Sequence, residues 1–444
     1  MGLKYIEPIK SIILLLLVLL SITFTFSIWT YSPRLDTIEQ SPTVDISIGE
    51  RKQVQDIIKP YKFIIKYDDD LKGTTDENII DEVMRELDTW KVPQLEYIQD
   101  EMNKEQMKKF FEQPNQFTLY FQGDVPLAVF DEILPIDESN LPEFSFDRLV
   151  VRWNPKEISF EVHFIDRATG IHYRGKINAE DTMKSYRNIV VNGEDLSPYT
   201  EVNVEEPVYL TVPTEPIKMI QSTYYQEEIS PTRFRDALFN DPNAVRRSQV
   251  DSKHEEFGDD HALLIVNTES KMLNFAHPAV ESSEPAKPSV LLPDVIESIN
   301  EHGGWTDSFR FSYINSYSRV VRFQLFIHGY PVFGEGETTG MTEIAQYFGD
   351  KRVFKYIRPY YTLDVSLSLD EEITLPSGED IANELIESKK LDIGTVDEII
   401  AGYMMRHDLE QRIFVIEPAW FYLMKEKWLP YIPDPSGGEQ IGLE

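Results

Sequence analysis

Residues Ser11 to Tyr31 form a run of 21 positions without a single charge, and its centre, Ile12 to Leu20, is almost entirely Leu, Ile and Val. About 20 apolar residues at 1.5 Å rise cross a hydrocarbon core of roughly 30 Å. A run of this kind predicts a transmembrane helix over 11–31. Trp29 and Tyr31 close its outer end, where amphipathic rings favour the membrane interface. Lys4 and Lys10 precede it, and Arg34 is the near basic residue after it. The basic N-terminus predicts a cytoplasmic segment 1–10 and an extracytoplasmic remainder. A cleaved signal peptide is the rival reading. Cleavage needs a small-residue site such as Ala-x-Ala, and the first fifty residues contain no alanine.

Within the run, Ser21 and Thr25 stand four apart and share a helix face. Small hydroxyl residues permit close approach of a second membrane helix, so the pair is a candidate partner-binding face. The alternative is that each hydroxyl bonds back to a carbonyl of its own helix.

The rest of the chain has the composition of a folded protein. Of 444 residues 41% are hydrophobic, with 22 Tyr and 25 Phe, which is enough apolar material for packed cores. The net charge of −33 argues against a nucleic-acid partner, because phosphate binding needs clustered Lys and Arg. There is no cysteine, so disulfides, thiolate catalysis and cysteine metal sites are excluded.

Hydrophobic periodicity predicts an α+β fold of antiparallel sheets packed with helices, arranged in several domains after the anchor. Residues 32–50, with Pro33 and Pro42, read as a juxtamembrane linker. A first domain spans 51–203. It contains a strand at Tyr61–Tyr67 and a helix capped by Thr74 and Glu77 that carries Ile79, Ile80, Val83, Met84, Leu87 and Trp90 on one stripe. Strands follow at Phe117–Phe121, Leu149–Trp153 and Ile158–Phe164, and a turn at 166–170 leads into His172–Ile177.

A middle α+β domain is expected over 204–280, with strands at Val208–Val212 and Ile217–Tyr225. Ser230 and Pro231 open a helix in it, with serine as N-cap and proline at the first helical position. A hairpin joins His261–Thr268 to Met272–Phe275. Residues 281–289 read as a linker and 290–433 as a C-terminal α+β domain. That domain holds strands at Phe309–Ile314, Val320–Ile327 and Tyr360–Leu369, a helix after Pro376, a segment at Val396–Met405 that fits helix or strand, and two late strands, Arg412–Pro418 and Trp420–Met424. Residues 434–444 form a Pro/Gly-rich tail.

No catalytic pattern emerges. The eight His form no HExxH and no pair with metal-ligand spacing. Asp68-Asp69-Asp70 resembles the start of a calcium loop, but Lys72 and Ile79 stand where an EF-hand needs ligands, so an acidic turn is expected. Gly334 to Gly340 has the wrong spacing for a dinucleotide fingerprint. No catalytic residue, no metal and no cofactor are therefore expected. Paired carboxylates are too abundant to single out a glycosidase, so a cell-wall hydrolase has no specific support. Arg246 and Arg247, the adjacent arginines of an acidic chain, are a candidate ectodomain contact for an acidic partner. The competing reading pairs them with local carboxylates.

The segment Ser230-Pro231-Thr232-Arg233-Phe234, followed by Ala237-Leu238-Phe239-Asn240-Asp241-Pro242 and Val245-Arg246-Arg247, resembles the YycH (WalH) family. The stretch Asn274 to Pro278, Ala401-Gly402-Tyr403 and Glu417-Pro418-Ala419-Trp420 with Tyr422 continue the resemblance, which covers essentially the full length. It implies a non-enzymatic regulator of a WalK/WalR-type two-component system that controls cell-wall metabolism. Implied partners are a WalK-type sensor histidine kinase, a YycI-type sibling protein and the membrane, with a second copy of the chain as a further candidate. The resemblance gives the Ser21/Thr25 face a concrete partner. A secreted inhibitory or ligand-binding module of PepSY type is the remaining rival.

Overall fold

The computed structural model describes residues 14–21, 23–25, 47–99, 101–157, 159–179, 182–191, 196–202, 208–363, 366–367, 371–387 and 393–433. The chain divides into two compact units, Met1–Asp45 and Ile46–Glu444.

In the first unit, residues 14–21 and 23–25 are helical. Leu14, Leu15, Leu16, Leu17, Val18, Leu19, Leu20 and Phe24 are all exposed there. Among the described residues no helix is long and apolar enough to cross a membrane. The remaining positions of the expected span 11–31, the N-terminus 1–10, most of the linker 32–50 and the tail 434–444 lie outside the described residues.

The second unit is mixed α+β and is built on two large sheets. The first contains β1 (Lys62–Tyr67), β2 (Asp70–Thr74), β3 (Leu95–Gln99), β4 (Gln116–Pro126), β5 (Ser145–Asn154), β6 (Ser159–Ile165), β7 (His172–Lys176), β8 (Ser197–Glu201) and β9 (Thr211–Pro213). Their spatial order is β9-β8-β2-β1-β4-β5-β6-β7-β3. The Asp68–Asp70 stretch is the turn of the β1–β2 hairpin, with Asp68 in the left-handed region at φ 48°. Helices α1 (Glu77–Leu87) and α2 (Lys104–Phe111) accompany this sheet, with shorter helical turns beside them.

Helix α1 forms on its predicted stripe, with Ile80, Val83, Met84 and Leu87 buried, but its ends differ from expectation. Its N-cap is Asp76, whose carboxylate accepts from the Asn78 amide at 2.8 Å, while Thr74 Oγ1 accepts from the Asp76 amide. Aspartate is as good an N-cap as threonine and stands one residue before the helix. Trp90 is buried as predicted, but in a short strand beyond the helix end.

The second sheet contains β10 (Ile217–Tyr225), β11 (Arg246–Gln249), β12 (His254–Gly258), β13 (Leu263–Asn267), β14 (Met272–Ala276), β15 (Phe309–Asn315), β16 (Val320–Ile327), β17 (Tyr330–Gly334), β18 (Glu343–Phe348), β19 (Val353–Pro359), β20 (Glu371–Leu375), β21 (Val396–Asp408), β22 (Ile413–Met424) and β23 (Lys427–Pro430). The main path runs β11-β12-β13-β14-β19-β18-β16-β17-β21-β22-β10-β20, with β15 on β16 and β23 on β22. Most pairs are antiparallel, as expected. The β17–β21 pair is parallel, because a long excursion that includes β18 to β20 returns the chain in the same direction. Helices α3 (Pro231–Leu238), α4 (Pro288–Asn300) and α5 (Gly378–Glu387) belong to this half. Ser230 and Pro231 start α3 as predicted, and Phe234 is its buried anchor.

The segments read as middle and C-terminal domains meet in one continuous sheet. Strand β14 pairs with β19, and β10 pairs with both β20 and β22. The expected linker 281–289 is tied down: Arg319 donates to Ser282 Oγ and to the Glu284 carbonyl, each at 3.2 Å, and α4 begins at Pro288. The last residues of the 32–50 linker are docked as well. Ile48 is buried, and Glu50 bridges to Trp305. In the stretch expected to be a strand over 360–369, the described residues form strand only at Tyr361–Thr362. Leu363 is buried and Leu367 exposed, so they do not share a buried face.

Candidate functional site

The anticipated partner residues lie in different units. Ser21 and Thr25 are exposed on the N-terminal helix, and the Thr25 hydroxyl donates to the Ser21 carbonyl at 2.8 Å. Thr23 does the same to Leu19. These threonine hydroxyls are satisfied within their own helix, which leaves small volume rather than free donors as what the face offers.

Arg246 and Arg247 lie on β11, an exposed edge strand of the second sheet. Arg247 Nη2 donates to both carboxylate oxygens of Glu255 at 2.9 Å, and its guanidinium sits 5.6 Å from the Phe257 ring centre. Arg247 is thus engaged across the β11–β12 pair. The structure does not bring the two arginines together with any other charged cluster among the described residues.

A different set of residues forms the most elaborate polar arrangement among the described residues. It lies where the first sheet meets β21 of the second. Glu398 on β21 is 2% exposed and receives three donors from the first half: Lys62 Nζ at 2.7 Å, Tyr61 Oη at 2.9 Å and Arg148 Nη2 at 3.3 Å. Arg148 also reaches Asp147 Oδ2 at 3.0 Å, and Arg167 Nε donates to the same oxygen at 2.6 Å. Lys62 and Arg148 each stand 4.2 Å from the Tyr120 ring centre, on whose π system both cations rest.

Buried charges persist only when paired and hydrogen-bonded. Burial works to raise the carboxyls of Glu398 and Asp147. Lys62, Arg148 and Arg167 outweigh it at Glu398, Arg167 and Arg148 outweigh it at Asp147, and both acids stay below their ordinary range. Three cations, Lys62, Arg148 and Arg167, thus share these two carboxylates in one ionic lock.

Apolar contacts surround the lock. Tyr61, Ile64 and Tyr120 of the first half form one buried cluster with Phe326, Phe333, Ile400, Met404 and Phe421 of the second. A second ion pair crosses further along: Arg310 Nη2 on β15 lies 2.7 Å from Glu77 Oε1 on α1. Gly123 on β4 lets the backbone come so close to Ser312 that an added Cβ would stand 2.7 Å from its carbonyl carbon.

The sequence reading missed this seam. Lys62, Arg148 and Glu398 each stand next to apolar strand residues, but Lys66, Asp147 and Asp397 are charged neighbours in the same stretches, so nothing local singles the three out. Among the described residues, no group of three His, Cys, Asp or Glu side chains could hold a metal ion.

Fold and seam together define a class: a two-sheet α+β protein whose halves are joined into one body by apolar packing and a buried ionic lock. The comparisons with known proteins make the class specific. The family model for the YycH protein N-terminal domain matches residues 7–196, and that for the YycH protein C-terminal domain matches residues 208–435. The chain belongs to the YycH family. It is 23% identical over 463 aligned positions to a Bacillus subtilis (strain 168) protein described as the two-component system WalR/WalK regulatory protein YycH, with 99% of each chain covered. The crystal structure of YycH from Bacillus subtilis matches with a TM-score of 0.72 at 19% identity, covering 86% of this chain and 98% of that one. That likeness establishes the shared fold.

Proposed function

We propose that the chain is a non-enzymatic, membrane-anchored regulator of a WalK/WalR-type two-component system. In this reading it is a single-pass protein with a cytoplasmic N-terminus and an extracytoplasmic body. It binds a WalK-type sensor kinase and a YycI-type sibling, and through them it modulates cell-wall metabolism. One observation carries the reading: the family match runs collinearly from residue 7 to residue 435, and so begins within the segment that includes the uncharged run. The exposed leucines of the N-terminal helix support lipid as its surroundings.

The mechanism follows from linkage. A regulator shifts a kinase between two signalling states only by its differential affinity for them, typically about 1–3 kcal/mol. The helix supplies one contact and the body another, and joining both on one chain raises the effective concentration of the second contact.

Thr25 is bonded to its own helix, so the Ser21/Thr25 face acts by permitting close approach. Ser21→Ala with Thr25→Ala should keep co-purification with the kinase from detergent-solubilised membranes. Ser21→Leu with Thr25→Leu should reduce it. Equal recovery of kinase with the leucine pair, together with unchanged regulon output, would sink the helix-face contact.

A further inference from the structure

A cavity of about 110 Å³ opens beside the ionic lock, between α2 of the first half and the start of β21 in the second. By volume it holds three to four waters, at roughly 30 Å³ each. Its lining concentrates positive charge in a chain whose net charge is −33. Lys104 and Lys108 reach it from α2 and Arg167 from the turn after β6, with Asp397 the one carboxylate in the lining.

The two lysines are four apart, so they share a helix face and repel each other. The Asp397 carboxylate lies within electrostatic reach of Lys104, and the direct contacts of both lysines are long. Lys104 Nζ has the Gly394 carbonyl at 3.5 Å, and Lys108 Nζ has Glu112 Oε1 at 3.9 Å. Arg167 is held in place by Asp147 and by the Asp397 carbonyl at 3.2 Å, which fixes the direction of its guanidinium. Phe111, on the same helix as the lysines, stacks on Tyr209 at 5.2 Å between centroids and 19° between planes, and the pair gives the cavity an apolar wall.

We propose that this cavity is a binding site for a small oxyanion, the phosphate or carboxylate head group of a ligand, held by the ammonium groups of Lys104 and Lys108 and the guanidinium of Arg167, with any carbon it carries against the Phe111–Tyr209 wall. The chemistry is that of charge-assisted hydrogen bonds, which are roughly twice as strong as neutral ones. An anion there relieves the repulsion of the lysine pair. The lysines and Arg167 come from the first half, while Gly394 and Asp397 of the second half form the facing rim. The site stands on this geometry alone and does not depend on the kinase reading.

The test uses the full-length chain in detergent micelles, titrated calorimetrically at constant ionic strength with inorganic phosphate, acetate and methyl phosphate. Saturable binding of at least one probe is expected, with a matching rise in melting temperature. Lys104→Gln with Lys108→Gln should weaken it at least tenfold, about 1.4 kcal/mol. Glu112→Gln removes the carboxylate that competes for Lys108 and should tighten it. Methyl phosphate binding as well as phosphate indicates a head group borne on a larger molecule, whereas phosphate or acetate alone indicates a free ion; either outcome supports the site. No saturable binding of any probe, or equal affinity in the wild type and the lysine double variant, overturns it.

Discussion

The ammonium of Lys62 on β1 donates to Glu398 Oε1 on β21 across 2.7 Å, joining residues 336 positions apart. Both side chains are almost fully buried, at 3% and 2% exposure. Removing one partner of a buried ion pair typically costs about 3–5 kcal/mol, because the other charge is left uncompensated, while replacing both by apolar groups is often close to neutral. Lys62→Met should therefore lower the urea midpoint steeply, with Arg148 softening the loss to the lower end of that range. Lys62→Met combined with Glu398→Leu should recover part of it, with Asp147 remaining as the partner of Arg148. Additive losses in the double variant would show that the two residues do not act as a pair.

Stability should also depend on acid through histidines that burial holds below their ordinary range, among them His302 and the touching pair His163 and His172. His163 Nδ1 and His172 Nε2 lie 2.8 Å apart beneath Phe110. Burial and the nearby Arg152 push His172 down to about 4 and hold His163 well below its ordinary range. An unfolded histidine titrates near 6.5, so between about 6.5 and 4 the unfolded chain holds protons that the folded one refuses. Their contribution to stability is full above that window and is lost as pH falls through it. Asp147 and Glu398, held low by their cations, add a second loss below the ordinary carboxylate range near 4. His163→Asn with His172→Asn should flatten the thermal-midpoint slope of the upper window and leave the lower loss in place. An unchanged upper slope would assign it to other groups.

Local patterns were legible wherever one face of an element is buried. The strand expected over Ile217–Tyr225 matches β10 end to end, and the apolar stripe of α1 is the face it buries. Patterns failed where tertiary context decided. Val396–Met405 is apolar on both faces and fits either period; it is strand because β17 and β22 flank it on both sides. Arg412–Pro418 and Trp420–Met424 are one strand, since proline in β22 loses only its own donor. The seam was not legible. Lys62 meets Glu398 only after two sheets have formed, and no local spacing encodes a partner at that distance. Its trace is charge set beside apolar strand residues, Lys62 before Phe-Ile-Ile and the Asp397-Glu398 pair between Val396 and Ile399.

The β16–β17 turn makes a separate demand. His328 and Gly329 both sit at positive φ, 51° and 81°, the signature of a two-residue hairpin turn. Gly329 also abuts the first half, where an added Cβ would lie 2.7 Å from the Thr75 carbonyl. Gly329→Ala therefore strains the turn and presses on the neighbouring loop before α1. A loss of about 1–3 kcal/mol is expected by chemical denaturation. Gly336→Ala is the control: it too has positive φ, at 59°, but its Cβ would meet nothing within 4 Å. The difference between the two variants measures the contact, and equal losses would reduce the effect to backbone strain alone.

The edge strand β11 separates local from partner roles. Arg247 is 61% exposed, and its pair with Glu255 lies at the surface. Exposed ion pairs contribute about 0.2–1 kcal/mol, so Arg247→Ala should barely move the melting temperature. Arg246→Glu with Arg247→Glu reverses the charge of the strand and sets a carboxylate opposite Glu255, a repulsion of similarly small size in water. If these arginines face an acidic partner, the reversal adds like charge at that contact and should slow association, with the effect shrinking as salt is raised. Capture of the kinase and sibling from solubilised membranes by the charge-reversed chain, compared at low and high salt, decides it. Undiminished capture at low salt by a variant that melts like the wild type would confine both arginines to the β11–β12 ladder.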